Sequence, residues 1–317
     1  MRLHYPLEFS IIYMKVLTSP SSMGHCGSEP LDLLREHGYE VIINPYGRKL
    51  TEDEVIDLAK DCVGIVAGVE PLTARVMDAL PKLKCISRVG VGMDSVDLEY
   101  AKQKGIIVVN TPNGPTRGVA ELTLAMTLTL LRRIPQADAA LHQRKWKKQI
   151  GNLFLDKKVG IIGLGRIGKS VAELFRGLKN PVIGYDTFAN ETWAKENDVQ
   201  LVPFEEVLKQ ADILTLHVPG NKDKSPVIGA KEIALMKDGS FLINIARGGV
   251  VDEAALFDAL KDGKLAGSAI DVYTNEPYDG PLCDLDNIIM TPHLGSYAKE
   301  GKLQMEINAV KNLINAL

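Results

Sequence analysis

Two doubly wound parallel-sheet α/β domains are what this sequence predicts, and three observations predict them. Short apolar stretches of strand length alternate with amphipathic stretches of helix length from Met14 to Thr111, and again from Val159 to Met290. Such alternation builds a parallel sheet with helices on both faces. A composition break at Asn110-Thr-Pro-Asn-Gly-Pro115, followed by a long apolar helix, separates the two series. Only the second series opens on a glycine-rich turn, and 317 residues suffice for two cores of ordinary size.

The first domain is read as residues 14–112 with residues 293–317 returning to it, and residues 1–13 as an N-terminal extension. Its first strand is Lys15-Val16-Leu17, followed by a helix through Leu31–His37 and the strand Glu40–Ile43. Thr51, with Glu54 three residues later, is a capping box that starts the next helix. Strands at Gly64–Ala67, Lys84–Arg88 and Ile106–Val109 alternate with helices over Ala74–Leu80 and Val96–Lys104. Arg88-Val-Gly-Val-Gly-Met-Asp94 sets two glycines directly after a strand. Their backbone N–H groups either converge on an anion or belong to a strand-to-helix turn capped by Asp94.

Beyond the break, Val119–Leu131 has no charge between Glu121 and Arg132, so the helix needs cover on every side. The basic run Arg144-Lys145-Trp146-Lys147-Lys148 reads as solvated surface, and Arg132–Asn152 as a long polar extension with an isolated Trp146.

The second domain, residues 113–292, is organised around Val159-Gly160-Ile161-Ile162-Gly163, a strand buried on both faces. Gly163, Gly165 and Gly168 make G-x-G-x-x-G, with Arg166 and Ile167 between them, and a helix follows from Lys169 to Leu178. In a Rossmann dinucleotide site, Gly163 makes the tight turn, Gly165 admits a diphosphate and Gly168 lets the helix pack on the strand. The diphosphate then sits at the helix N-terminus. The next strand, Pro181–Tyr185, ends at Asp186, 23 residues past Gly163, where a carboxylate accepts ribose hydroxyls and repels a 2′-phosphate. That combination predicts NAD. Strands at Asp212–Val218, Ser240–Ala246, Gly267–Asp271 and Asn287–Met290, with helices over Lys231–Met236 and Glu253–Leu260, complete the sheet. The last helix, Lys299 to about Ala316, is amphipathic and is expected to pack back on the first domain.

A formal charge of −3 and a pI near 6.1 give no basic excess for nucleic acid or an anionic membrane, so neither partner is expected. Cys26, Cys62, Cys85 and Cys283 are scattered without metal-ligand spacing. They read as buried, reduced thiols of a cytoplasmic protein, and no metal is expected. Ser10-Ile-Ile-Tyr-Met14 is too short for a signal-peptide core or a membrane span.

His217, Arg247, Asp271 and His293 stand at or just past strand ends of the second domain, and Thr274-Asn-Glu276-Pro277 adds a carboxylate. Strand C-termini of such sheets border the ligand crevice, so these residues form the candidate site.

With these residues the chain resembles the D-isomer-specific 2-hydroxyacid dehydrogenases. The resemblance runs from Met14 through Val89-Gly-Val-Gly-Met-Asp94, Asn110-Thr-Pro112, Val119-Ala-Glu-Leu122, Gly163–Gly168, Asn244-Ile-Ala-Arg-Gly248, Ala269-Ile-Asp-Val272, Asn275-Glu-Pro277 and Thr291-Pro-His-Leu-Gly295. It implies that Arg247 binds the substrate carboxylate and carbonyl, that His293 is the acid/base and that Glu276 pairs with it. It also implies carboxylate binding by the N–H groups of Val91 and Gly92, orientation of the nicotinamide amide by Asp271, and cofactor contact at His217. The chemistry agrees: a fixed cation suits the carboxylate, and a histidine raised by a neighbouring carboxylate donates a proton near neutral pH.

The substrate is then a small anionic 2-hydroxy or 2-keto acid. Arg88 and Arg133-Ile-Pro-Gln-Ala137 resemble the phosphoglycerate dehydrogenases of the family, whereas Gly68-Val-Glu-Pro-Leu-Thr73 lacks their second arginine and its Glu70 would oppose a phosphate. Phosphoglycerate comes first and a broad glyoxylate/hydroxypyruvate-type reductase second. A non-catalytic NAD-sensing protein, like the family's corepressor, is disfavoured by the presence of Arg247, Glu276 and His293. Formate oxidation is disfavoured by Glu276. No C-terminal regulatory domain of the serine-feedback kind is expected. A homodimer built through residues 116–152 is, since in the family that helix and extension lie between subunits.

Overall fold

The structure is a computed structural model that describes residues 14–317 apart from residue 222. The extension expected over residues 1–13 lies outside the described residues. The chain divides into two compact units, one formed by the stretch up to Pro115 with Lys299–Leu317, the other by Thr116–Ala298.

In the first unit the strands are β1 (Met14–Thr18), β2 (Tyr39–Ile43), β3 (Cys62–Ala67), β4 (Cys85–Arg88) and β5 (Ile107–Asn110). They alternate with α1 (Glu29–Glu36), α2 (Glu52–Ala59), α3 (Ala74–Ala79) and α4 (Leu98–Gln103). The sheet order among the described residues is β2-β1-β3-β4-β5, every pair parallel. Thr51 caps α2 as its sequence requires: its hydroxyl accepts from Glu54 N at 3.3 Å while Glu54 Oε2 accepts from Thr51 N at 2.8 Å. The cap of α4 is Asp97, whose carboxylate accepts from Tyr100 N at 3.0 Å. Asp94 does not cap it, because the turn after β4 runs three residues further before the helix begins.

The second unit contains α5 (Thr116–Leu131), α6 (Ile134–His142), β6 (Val159–Ile162), α7 (Arg166–Gly177), β7 (Val182–Tyr185), α8 (Glu191–Glu196), β8 (Val199–Leu201) and α9 (Phe204–Gln210). It continues with β9 (Ile213–Leu216), α10 (Ala230–Leu235), β10 (Ser240–Asn244), α11 (Glu253–Lys261), β11 (Leu265–Ile270) and β12 (Ile288–Met290). Among the described residues these strands form one parallel sheet in the order β12-β11-β10-β9-β6-β7-β8. The order reverses between β6 and β9, which fixes where a ligand crevice opens. β6, β9 and β10 are buried along their whole length.

Helix α7 buries Gly168, Val171, Ala172 and Phe175, a stripe at helical spacing against the sheet. Helix α5 buries Val119, Ala120, Thr123, Met126, Thr127, Leu130 and Leu131 against α7, β11 and β12. Leu122 and Leu124 are half-buried and pack against the cores of the same unit, Leu128 is half-buried and Ala125 is exposed. The reading of residues 132–152 as a polar extension needs correction. Helix α6 lies inside it, and Trp146 is not isolated, since Ile134, Leu141, Ile150, Leu153 and Leu155 are exposed around it in sequence.

The last helix, α12 (Lys299–Ala316), packs on β3, β4 and β5 of the first unit. Its buried side carries a Lys302–Glu306 ion pair at 3.0 Å, and Glu306 Oε2 accepts from Gly24 N at 3.1 Å. No helix among the described residues is long and apolar enough to cross a membrane.

Gly168 sets the distance between α7 and β6, because a Cβ there would stand 1.9 Å from Gly163 O. Gly168→Ala is expected to cost about 1–3 kcal/mol, as overpacking of a tight contact does. Thermal unfolding of the purified protein checks it, and an unchanged midpoint would contradict so close an approach.

Candidate active site

At the C-terminal edge of the seven-stranded sheet the glycine turn, Asp186 and His217 gather at the switch point. Gly163 turns with φ +93°, and a Cβ there would meet His217 O at 2.4 Å. Gly165 has nothing within 4 Å of its would-be Cβ, so that side of the turn is open. The first turn of α7 carries no side-chain cap, which leaves the amides of Arg166 and Ile167 available to an anion. Asp186 is tied to this turn: its Oδ2 accepts from Leu164 N at 2.7 Å and its Oδ1 from Phe188 N at 2.8 Å.

His217 follows β9, and its N–H reaches Ile162 O at 2.8 Å. Burial pushes its imidazole down to about 3, so the ring is neutral. Nε2 lies 3.0 Å from Thr215 Oγ1, while buried Nδ1 has no partner among the described residues.

A second cluster follows β10, β11 and β12. Arg247 comes just after β10, its Nη1 donating to Ala246 O at 2.7 Å. A Cβ on Gly248 would stand 1.8 Å from Tyr273 O, so only glycine lets the Arg247 loop lie on the loop that carries Glu276. Tyr273 N donates to Glu276 Oε1 at 3.1 Å, and His293 Nδ1 lies 2.9 Å from Glu276 Oε2. An ionised carboxylate only accepts, so Nδ1 carries the proton and Nε2 is left for a substrate oxygen.

The hydrogen bond to the Glu276 carboxylate raises the His293 pKa, and burial opposes it less strongly. Burial alone would raise Glu276, but the bond to His293, with the charges of His293 and Arg247, holds its carboxyl below the ordinary value.

Asp271 is fully buried, and its carboxylate accepts from Thr291 Oγ1 at 2.6 Å, Leu294 N at 2.6 Å and Gly295 N at 2.8 Å. These bonds hold the turn in which His293 adopts φ +55°. Sequence reading placed Asp271 on the cofactor and missed this clamp. Its partners lie 20 to 24 positions away, and the spacing of residues near Asp271 does not announce them.

In the first unit, Arg88 ends β4 and its Nη1 donates to Val89 O. Val91 and Gly92 follow in the same turn, where Asn110 Nδ2 donates to Val91 O at 2.9 Å. Glu70, expected to face a ligand, is instead buried at 2% exposure. It accepts from the Ser19 hydroxyl and, at 3.0 Å, from Gly68 N, and burial pushes its carboxyl up.

The family model for the D-isomer specific 2-hydroxyacid dehydrogenase NAD binding domain matches residues 124–295, more than half of the chain. The chain belongs to the D-isomer-specific 2-hydroxyacid dehydrogenases. Within this family it is 38% identical to the D-3-phosphoglycerate dehydrogenase of Archaeoglobus fulgidus over 307 residues, 95% of this chain and 57% of that one. To the human D-3-phosphoglycerate dehydrogenase it is 40% identical over 292 residues, 91% of this chain and 54% of that one. The chain thus spans about half the length of these curated relatives. The TT0316 protein of Thermus thermophilus superposes with a TM-score of 0.89 at 34% identity, with 96% of each chain covered. A D-lactate dehydrogenase of Aquifex aeolicus, solved with NAD and lactic acid, gives 0.80 at 30% identity, with 94% of this chain and 93% of that one covered.

The second unit carries the NAD-binding domain of this family, and its residues fit the cofactor. Gly165 leaves space that a Cβ would narrow, and the orphaned His217 Nδ1 marks a polar contact waiting in a buried place.

Glu276→Gln removes the charge that raises His293, so the His293 pKa should fall. An NMR titration of the imidazole reads this directly, and an unmoved value would show that the pair does not set it.

Proposed function

We propose that the chain is an NAD-dependent oxidoreductase acting between a D-2-hydroxy acid and its 2-keto acid, with D-3-phosphoglycerate as the first substrate to test. The observation that carries the reading is the Glu276–His293 pair, in the same NAD-binding domain and charge field as Arg247. Nicotinamide, when bound, supplies or removes the hydride at the carbon that bears the oxygen. For this dehydrogenase Gly163, Gly165, Arg166, Ile167 and Gly168 would hold the cofactor diphosphate, Asp186 the adenosine ribose, and His217 and Asp271 the remaining contacts.

Arg247 would grip the substrate carboxylate and draw charge toward the carbonyl oxygen, its guanidinium being permanently charged. His293 Nε2 donates the proton to that oxygen in reduction and accepts it in oxidation. Glu276 stabilises the imidazolium form, so the proton stays on the ring to higher pH than an isolated histidine would keep it. In the first unit Val91 and Gly92 are assigned to the carboxylate and Arg88 to the substrate tail. A second reading, a broad glyoxylate/hydroxypyruvate-type reductase, is favoured by the lack of a second arginine in the Gly68–Thr73 stretch. One solved relative, a glyoxylate reductase of Paecilomyes thermophila, is 26% identical with a TM-score of 0.83 over 96% of this chain and 95% of that one.

His293→Ala is expected to lower kcat by roughly 10² to 10⁴, the usual worth of a positioned acid/base, with NADH binding little changed. Steady-state kinetics with 3-phosphohydroxypyruvate and with hydroxypyruvate test it. Undiminished turnover would remove His293 from its role.

The enzyme is further proposed to be a cytoplasmic homodimer. Supporting this are the exposed Ile134, Leu141, Trp146, Ile150, Leu153 and Leu155, which a second copy of the same surface would cover. An obligate interface of this kind buries roughly 2,000 Å² or more. Light scattering at micromolar concentration should give twice the chain mass, and a single-chain mass unchanged by NAD would refute it.

A further inference from the structure

The five-stranded sheet of the first unit ends at β5, whose outer side pairs with no strand among the described residues. Ile107 N donates to Lys84 O at 2.9 Å and Thr111 N to Gly90 O at 3.0 Å, both toward β4 and its following turn. These groups alternate sides along a strand, so Val108 and Asn110 turn their N–H and C=O groups to the open side. Open edges are commonly guarded by charge, proline or a bulge. Ile106–Asn110 has neither charge nor proline, and Ile107 is 47% exposed. Val108 and Asn110 line a cleft of about 560 Å³ together with Asn312 and Asn315 of α12, a volume in the range of ligand sites. The cleft continues past Asn113, Asn308 and Lys311. Asn308, Asn312 and Asn315 share one face of α12 and span about 10 Å, roughly the rise of three strand residues. Asn312 already does what a neighbouring strand would do, its Nδ2 donating to Asn110 O at 3.0 Å.

We infer that this cleft binds an extended peptide segment bearing an acidic residue, which adds to the open side of β5 as a further strand. Edge addition takes its affinity from main-chain hydrogen bonds. Val108 and the N–H of Asn110 supply them from the sheet. Side-chain carboxamides carry the same donor and acceptor as a peptide group, so α12 supplies them too. Asn315 offers both groups, and Asn308, whose Oδ1 accepts from Gln304 Nε2 at 2.9 Å, keeps its N–H groups for the segment. Lys311 is the one charged residue among the described residues that line the cleft. A carboxylate on the segment is therefore matched and a cation opposed. A flexible segment reaches both β5 and α12, whereas the rigid sheet edge of a second copy would reach β5 alone.

NMR titration of the isotope-labelled full chain with the peptide Thr-Val-Glu-Val-Thr, capped at both ends, tests it. The backbone amides of Ile107–Asn110 and the side-chain amides of Asn308, Asn312 and Asn315 should shift and saturate. The same peptide with lysine in place of glutamate should bind more weakly, and Lys311→Glu, a change at an exposed position, should reverse that order. Val108→Pro removes an outward N–H without removing a bond to β4, and should weaken the glutamate peptide by roughly 2- to 12-fold, the net worth of one hydrogen bond. Asn315→Ala, also at an exposed position, should do the same without altering the sheet. Absence of saturable shifts in the cleft overturns the inference, as does an order of the two peptides that Lys311→Glu leaves unchanged. Native-like binding by both Val108→Pro and Asn315→Ala overturns it as well.

Discussion

Every strand pairing described in this protein is parallel, and the central strands of the NAD-binding domain are buried along their whole length. That constraint decides where chemistry can happen. A buried strand with helices on both faces has no room for an unpaired charge. Polar side chains with a task are therefore displaced to strand ends, and parallel pairing puts those ends on one edge. Asp186, His217, Arg247, Asp271 and His293 follow β7, β9, β10, β11 and β12, so five separate stretches of chain deliver their side chains to the same side of one sheet.

Three carboxylates at that edge do three different things because their surroundings differ. Asp186 accepts two backbone amides and ties the corner after β7 to the glycine turn. Asp271 is wholly buried and is tolerable there because three donors converge on it. Those bonds hold His293 in a left-handed backbone conformation that a non-glycine residue seldom adopts. Glu276 is half-exposed, and its partner is a side chain that can itself carry a proton. The lowered carboxyl and the raised imidazole are two views of one favourable pair.

Much of this was legible in the sequence where the signal was local. Thr51 with Glu54 gave a capping box, and Gly163, Gly165 and Gly168 between an apolar strand and an amphipathic helix gave β6 and α7. What escaped lacked a local signal. Strand β8 is only three residues long, α8 is six, and α9 starts after Pro203 without a side-chain cap, so none repeats its hydrophobic pattern often enough to stand out. Helix α6 buries no residue, leaving no apolar stripe to separate it from a loop. The Asp271 clamp escaped because it depends on where β12 delivers the Thr291–Gly295 turn, which is settled by strand pairing with β11.

The surroundings of Arg88 in the first unit obey the same logic. Pairing of β3 with β4 sets Ala67 opposite Arg88, which puts the Glu70 loop beside the arginine in the first unit. Burial favours the neutral form of Glu70, whereas the Ser19 hydroxyl, the Gly68 amide and the charge of Arg88 favour the ionised form. The charge of Arg88 therefore bears on Glu70, and the protonation of Glu70 in turn bears on the field around Arg88. A motif that lists an arginine in this place thus records only half of the field. The other half is set by how deeply its neighbour is buried.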